Sequence, residues 1–234
     1  MIGAVAVVIP ARDESELVGR CLRSVLAAKL LVETLLPEVV VSVTLVADRC
    51  TDDTADVARS FAGVSVVEID AGNVGLARAT GVMLALESSG LLPDEVWISS
   101  TDADSVAPPW WLLEQAHLAR NGAGVVLGTV RPDGDDLTAE QAEAWAALHS
   151  GGRAVGEVHG ANLGVRADVY LAVGGFPGLP EHEDVTFVER CTALGASIVA
   201  TDRCEVTTSG RQVGRTPGGF ARYLRDDLLP NPAL

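Results

Sequence analysis

Short β-branched runs alternate along the chain with polar loops and with longer stretches in which apolar residues recur at helical spacing. Residues 4–9 predict a first strand, and residues 16–31 a helix with Leu17, Cys21, Leu22, Val25 and Leu26 on one face. Residues 39–47 predict the second strand. Thr51 or Asp52 caps a helix running to about Phe61, residues 64–69 form the third strand, and residues 75–86 the next helix. The segment 88–94 breaks that helix before a fourth strand over 95–100. A helix over 108–120, a strand over 124–130, an acidic turn over 132–136 and a helix over 138–149 follow. The glycine-dense stretch 151–164 predicts no definite element. A βαβαβαβ order implies an α/β fold with a mostly parallel central sheet flanked by helices.

The chain has 234 residues, 48% of them hydrophobic, which is enough for one domain with a substantial core. Its net charge of -15 and pI near 4.5 argue against nucleic acid and anionic membrane surfaces as partners. The same sign makes an anionic small ligand hard to hold without a cation or a few arginines between it and the protein. Cys21, Cys50, Cys191 and Cys204 are far apart and form no CxxC pair, so neither a zinc site nor a disulfide framework is implied, and a reduced, cytoplasmic setting fits. The apolar N-terminal run leads straight into Arg12, Asp13 and Glu14 and reads as a buried strand, not a leader peptide. The apolar stretch 25–46 is interrupted by Lys29, Glu33, Pro37 and Glu38, so no transmembrane segment is expected.

In open parallel sheets ligands bind beyond the carboxyl ends of the strands. Four loops there carry polar residues: 10–14, 48–53, 70–78 and 101–105. The last is the most informative. Asp102 and Asp104 follow a strand at i and i+2, so in extended backbone both carboxylates face one ligand. Two close carboxylates repel, and a divalent cation relieves that repulsion; oxygen-only ligands suit Mn2+ or Mg2+, with phosphate and water completing the shell. An Asp-x-Asp after a strand is also a common turn and helix cap, and the motif alone leaves both readings open. Trp110, at the start of the following helix, offers an indole face for sugar stacking, with packing as the alternative.

Other motifs fall in a definite order around this one. VVIPARDE spans residues 7–14, LVADRCTDDT 45–54, NVGLARATG 73–81, STDAD 100–104, HGAN 159–162, GGF 174–176 and EHED 181–184. In that order, from residue 5 to about 211, the chain resembles the family 2 type of glycosyltransferase with a GT-A fold, whose sheet is Rossmann-like. The resemblance implies a single GT-A domain over 1–234, with 1–105 binding the nucleotide sugar and 106–234 the acceptor. It implies an inverting transfer of a sugar from a UDP-, GDP- or dTDP-sugar to a hydroxyl-bearing acceptor, with Mn2+ or Mg2+ at the DXD motif.

Carried onto this sequence, Pro10, Ala11, Arg12, Glu14 and Asp48 would line the nucleoside pocket, with Asp48 accepting from base or ribose. Arg78 would approach the nucleotide from its helix. Asp102 would contact the ribose and share the metal through water, Ala103 would lie along the nucleotide sugar, and Asp104 would bind the metal directly. Asp184 would act as general base, with Glu183 orienting neighbours. Gly160 and Asn162 would lie near the donor sugar. The family often supplies a further metal or phosphate ligand near the C-terminus, frequently a histidine. No histidine lies beyond His182 here, and Arg211, within TTSGR over 207–211, is the candidate to hold the diphosphate. The segment 131–156 is where acceptors would be chosen. Acceptor identity and oligomeric state stay open, and a homodimer is compatible with the sequence.

Competing readings differ at named positions. A nucleotidylyltransferase or a dinucleotide-dependent dehydrogenase would need a glycine-rich loop after the first strand, where PARDE stands, and no GxSxG elbow points to a hydrolase. A noncatalytic nucleotide-sugar binding protein or partner subunit, and a retaining transferase of the same fold, are the alternatives; the joint presence of Asp104 and Asp184 weighs against the first.

Overall fold

A computed structural model describes residues 2–149, 156–179, 181–214 and 218–229. Seven strands, β1 (Ala4–Ala11), β2 (Val40–Asp48), β3 (Ser65–Ile69), β4 (Val96–Ser100), β5 (Val125–Pro132), β6 (Leu163–Arg166) and β7 (Ile198–Thr208), form one sheet in the order β3-β2-β1-β4-β6-β5-β7. β1 pairs in parallel with β2 and β4, as β2 does with β3 and β5 with β7. β6 runs antiparallel to both β4 and β5. The helices are α1 (Val18–Leu35), α2 (Thr54–Arg59), α3 (Val74–Ser89), α4 (Trp111–Arg120), α5 (Ala139–Leu148), α6 (Ala167–Ala172), α7 (Glu183–Leu194) and α8 (Phe220–Arg222), the last continuing as a wide turn over Tyr223–Asp227.

The period-two alternation of β1 divides the core between the two faces of the sheet. Val5, Val7, Ile9 and Ala11 join the cluster under α1, α2 and α4, whereas Ala4, Ala6 and Val8 join the one under α3 and α7. The second face demands close approach by α3: a Cβ on Gly81 would lie 2.5 Å from Val8 Cγ1. Because β1 is flanked by β2 on one side and β4 on the other, the chain reverses its winding there, and the crevice between the ends of β1 and β4 is the natural ligand position.

The predicted order is recovered through α5. Beyond it the hydrophobic pattern predicts no element, and β6, α6, α7, β7 and α8 follow. β6 is only four residues long and follows a glycine-rich approach, and β7 carries Asp202, Arg203 and Glu205 among its apolar positions. Part of the unassigned glycine-dense stretch, residues 151–155, lies outside the described residues, as does part of the predicted acceptor segment 131–156. No described helix is long and apolar enough to cross a membrane.

Candidate functional site

A cavity of about 680 Å³ opens at the carboxyl ends of β1, β2 and β4 and extends beneath α5 and α8. That size is ordinary for a small-molecule site. Pro10, Ala11, Arg12, Glu14, Asp48, Arg78, Asp102, Ala103, Asp104, Gly160, Glu183, Asp184 and Arg211 all line it, so most of the residues singled out in the sequence converge in space.

Arg78 sits at the centre. It lies on α3, whose first turn is capped by Asn73 accepting from the Leu76 N–H at 3.0 Å. Only 3% of its side chain is exposed. The guanidinium donates to Asp102 Oδ1 at 2.5 Å, to Ser100 Oγ at 3.0 Å and to Glu183 Oε1. Burial alone would pull this cation's pKa down, but Asp102 and Glu183 overrule burial and keep it charged. Gly160 is part of the same packing, because a Cβ there would come within 2.5 Å of Arg78 Nη2. The Gly160 N–H donates to Asp184 Oδ2 at 2.7 Å, which ties the first turn of α7 to the loop before β6. His182, in a left-handed conformation at φ 58°, starts that turn and leaves its own side chain largely exposed.

Asp104 has a second, separate cationic partner. Arg211 reaches Asp104 Oδ2 at 2.9 Å and forks onto Glu14 at 2.8 and 3.0 Å. Two backbone features bring residues so distant in sequence together. Val106 and Thr207 exchange hydrogen bonds of 2.7 and 3.0 Å, joining the loop after β4 to the end of β7. Asp136 then accepts from the Ser209 hydroxyl and the Gly210 N–H, fixing the turn that carries Arg211. Thr208 and Ser105 hydroxyls donate to Asp104 Oδ1 at 3.3 and 3.2 Å.

Burial and the neighbouring Asp102 push the Asp104 carboxyl up to about 6, with Arg211 pulling the other way. Asp102 is raised too, by burial first; Arg78 opposes the rise and Glu183 adds to it. Glu183 is raised by burial, opposed by Arg78 and reinforced by Asp184. Carboxylates therefore outnumber guanidiniums around the crevice, and the excess negative charge calls for a further cation. The donor set is oxygen, which suits Mn2+ or Mg2+; Mg2+ is commonly held by one or two carboxylates with phosphate and water supplying the rest. Asp102 and Asp104 fit that arrangement. Among the described residues, the one trio of acid or thiol ligands that converges closely is a different one, Asp13, Cys50 and Asp52. Its carboxylates are engaged in joining the β1 and β2 loops: Asp13 accepts from the Thr51 N–H at 2.6 Å and Asp52 from the Ser15 N–H at 3.0 Å.

Three predicted site residues have roles that the sequence did not disclose. Asp48 lines the cavity, yet its carboxylate accepts from the backbone N–H groups of Ala71, Gly72 and Asn73 at 2.8, 2.7 and 2.6 Å, so it organises the loop leading into α3. Asn162, expected near a donor sugar, is fully buried and does not line the cavity. It accepts from Trp111 Nε1 at 2.8 Å and donates to the carbonyls of Thr129 and Cys204, both at 2.9 Å, stitching α4, β5 and β7 together. Trp110 is 52% exposed, donates to the Arg203 carbonyl at 2.7 Å and lies off the cavity. The sequence reading also missed lining residues, chiefly Trp145, Phe220 and Tyr223. The i, i+3 spacing of Phe220 and Tyr223 after the Gly218-Gly219 pair was the available signal.

The family model described as Glycosyl transferase family 2 matches residues 6–155. No curated protein matches the chain in sequence. Among solved structures the chain is similar to S. aureus TarS 1-349, with 16% identity, a TM-score of 0.62, and coverage of 91% of this chain and 61% of that one. It is similar to the mannosyltransferase PcManGT from Pyrobaculum calidifontis in complex with GDP-Man and Mn2+, at 19% identity and TM-score 0.64, covering 91% of this chain and 58% of that one. It is also similar to Mycobacterium tuberculosis glucosyl-3-phosphoglycerate synthase in complex with Mn2+, UDP and phosphoglyceric acid, at 17% identity and TM-score 0.58, covering 89% and 71%. The chain thus spans about three fifths of the first and second of these proteins. At such identities the likeness is one of fold, and the fold is of the GT-A type.

Proposed function

The chain belongs to glycosyl transferase family 2, and from that premise we propose that it transfers a sugar from a nucleotide diphosphate donor to a hydroxyl-bearing acceptor with inversion at the anomeric carbon. The observation that carries the reading is the meeting of Asp102, Asp104 and Asp184 in one cavity, each carboxylate held by a separate partner.

The donor's nucleotide lies along Pro10, Ala11, Arg12 and the amide-bound Asp48 loop, with its diphosphate towards Asp102 and Asp104. Asp104, with Asp102, would hold Mn2+ or Mg2+, which when bound would supply positive charge to the leaving diphosphate. Arg211, paired in this structure with Glu14 and Asp104, stands within reach of the same phosphates and adds a fixed positive charge. Arg78 keeps Asp102 and Glu183 in place and so preserves the shape of the crevice.

Asp184 serves as general base. Its Oδ2 is oriented by the Gly160 N–H, and its Oδ1 accepts from the Val185 N–H at 2.8 Å, which leaves further lone-pair positions for an acceptor hydroxyl. The acceptor oxygen gives its proton to Asp184 and forms a bond to the anomeric carbon. The bond from that carbon to the phosphate oxygen breaks on the opposite face, and its electron pair leaves with the nucleotide diphosphate. UDP, GDP and dTDP are the candidate nucleotides; the similar structures above contain GDP-Man in one case and UDP in another. Calorimetric titration of the three nucleotides with and without Mn2+, followed by assay of the matching sugar nucleotides, tests the reading. Absence of binding by all of them in both conditions overturns it.

A further inference from the structure

Aromatic side chains are scarce in this protein, at 4% of residues, and three of them gather on one wall of the cavity. Trp145 comes from α5, whereas Phe220 and Tyr223 come from α8 and the turn continuing it. Trp145 meets Phe220 edge-on at 5.9 Å between centroids and Tyr223 edge-on at 6.4 Å, and Phe220 and Tyr223 lie nearly parallel at 6.1 Å. His149 stacks on Trp145 at 3.8 Å, and His159 meets Phe220 edge-on at 6.5 Å. None of the three large rings is fully buried, and all of them border the void.

The wall is braced from behind. Gln141, one helical turn before Trp145 and so on the same side of α5, is buried and donates to the Leu224 carbonyl at 2.9 Å and to Gln212 Oε1 at 3.0 Å. That bond fixes the separation between α5 and the C-terminal turn. The wall also runs directly into the chemistry. His159, packed on Phe220, immediately precedes Gly160, whose N–H holds Asp184. Beside the rings, Glu157 lines the cavity, close enough to Tyr223 to be felt by its hydroxyl and 3.6 Å from His159.

We propose that this wall is the acceptor subsite and that the acceptor is a polyhydroxylated ring of pyranose or cyclitol type. Such a ring has a C–H face that packs on aromatic surfaces and an edge of hydroxyl donors, and carboxylates are acceptors only. With its C–H face laid on one of the two nearly perpendicular rings of Trp145 and Tyr223 and its edge against the other, the acceptor turns its hydroxyls towards Glu157 and brings one to Asp184. The proposal rests on the transferase reading above and specifies the substrate class of the same site.

The test uses the full chain with the nucleotide diphosphate that binds it, and saturation-transfer NMR with methyl pyranosides, myo-inositol, glycerol and 3-phosphoglycerate as probes. At least one ring polyol is expected to bind at least tenfold more tightly than glycerol or phosphoglycerate, with saturation concentrated on its ring C–H protons. Trp145→Leu and Tyr223→Leu, which keep apolar bulk without the ring face, are expected to weaken that binding about tenfold while the nucleotide Kd moves less than twofold; Tyr223→Phe should retain it. The unchanged nucleotide Kd certifies that each variant folds. Glycerol or phosphoglycerate binding as tightly as any ring, or ring affinity unaltered in both leucine variants, overturns the proposal while leaving the transferase reading intact. Failure of every nucleotide to bind is a separate result, which overturns that reading and the proposal with it.

Discussion

The two ends of the cavity are built on different physics. At the end bounded by β1, β2 and β4, specificity is written in charge: Asp102 and Glu183 share Arg78, Glu14 and Asp104 share Arg211, and Asp48 is held by three amides. At the end bounded by α5 and α8, the wall is made of ring faces and edges with a glutamine brace. Charged networks in a low-dielectric crevice fix geometry tightly and fail badly when one member is lost. Ring walls define a shape and tolerate exchange among neighbours of similar outline. A rigid charged end joined to an adaptable apolar one is what the proposed transfer, from a common donor to a particular acceptor, calls for.

The largest effect expected separates binding from chemistry at the charged end. Asp104→Asn should remove both divalent-ion binding and transfer. Asp184→Asn should leave the nucleotide Kd within about twofold and lower turnover by about 10³-fold, within the range of a lost general base. Calorimetry and turnover of the same preparations check both. Equal loss of nucleotide affinity in the two variants would erase the division of labour between these aspartates.

Next in size is the loss of Arg78. Glu183 keeps only 6% of its side chain exposed, so Arg78→Met strands a buried carboxylate, at a cost of about 3–5 kcal/mol read by urea unfolding. Adding Glu183→Gln should return part of that loss, because the stranded charge is gone. If Arg78→Met alone costs less than about 1 kcal/mol, the network is not what holds the crevice together.

The same contrast explains what the sequence discloses. The strands of the first half are continuous apolar runs followed by polar loops, so the α/β fold and the Asp102–Asp104 pair are legible from residues alone, whereas Arg78 and Glu14 stand out only through the resemblance to family 2. What joins them is not. Arg211 reaches Asp104 only through the pairing of Val106 with Thr207 and the Asp136 cap, across more than a hundred residues of chain. β6 escapes because four residues show no period, and Asn162 resembles a loop residue until Trp111, Thr129 and Cys204 are seen around it. Trp145 reads as one apolar position of an ordinary helix, since its partners lie some seventy-five residues later in Phe220 and Tyr223.

A smaller effect concerns protons at the charged end. The folded-state pKa of Asp104 is raised from 3.8 to about 6, so the folded protein holds this proton more tightly than the unfolded chain does. Its contribution to stability is therefore fully present below about pH 4 and is lost as pH rises through about 6. At roughly 1.4 kcal/mol per pKa unit the full swing is about 2–3 kcal/mol. With chelator present, Asp104→Asn, which stays neutral, should gain stability relative to the parent protein as pH increases from 4 to 7. Mn2+ with nucleotide should abolish that gain above pH 6, because it stabilises the ionised carboxylate. A stability difference flat across this range would mean that Asp104 is not crowded by Asp102 and burial as described.

The smallest effect tests where the cavity ends. Trp110 and Trp111 are adjacent, yet Trp111 is fully buried against Asn162, whereas Trp110 lies on the outer surface with its indole N–H on the Arg203 carbonyl. Trp110→Ala removes one hydrogen bond at a half-exposed position, so a cost near 1 kcal/mol is expected, with nucleotide and acceptor affinities unchanged. Trp145→Leu, at the opposite extreme, should leave nucleotide affinity alone and reduce acceptor affinity. If Trp110→Ala lowered acceptor affinity as much as Trp145→Leu does, the acceptor would have to cross the start of α4, and the ring wall between α5 and α8 would no longer mark its place.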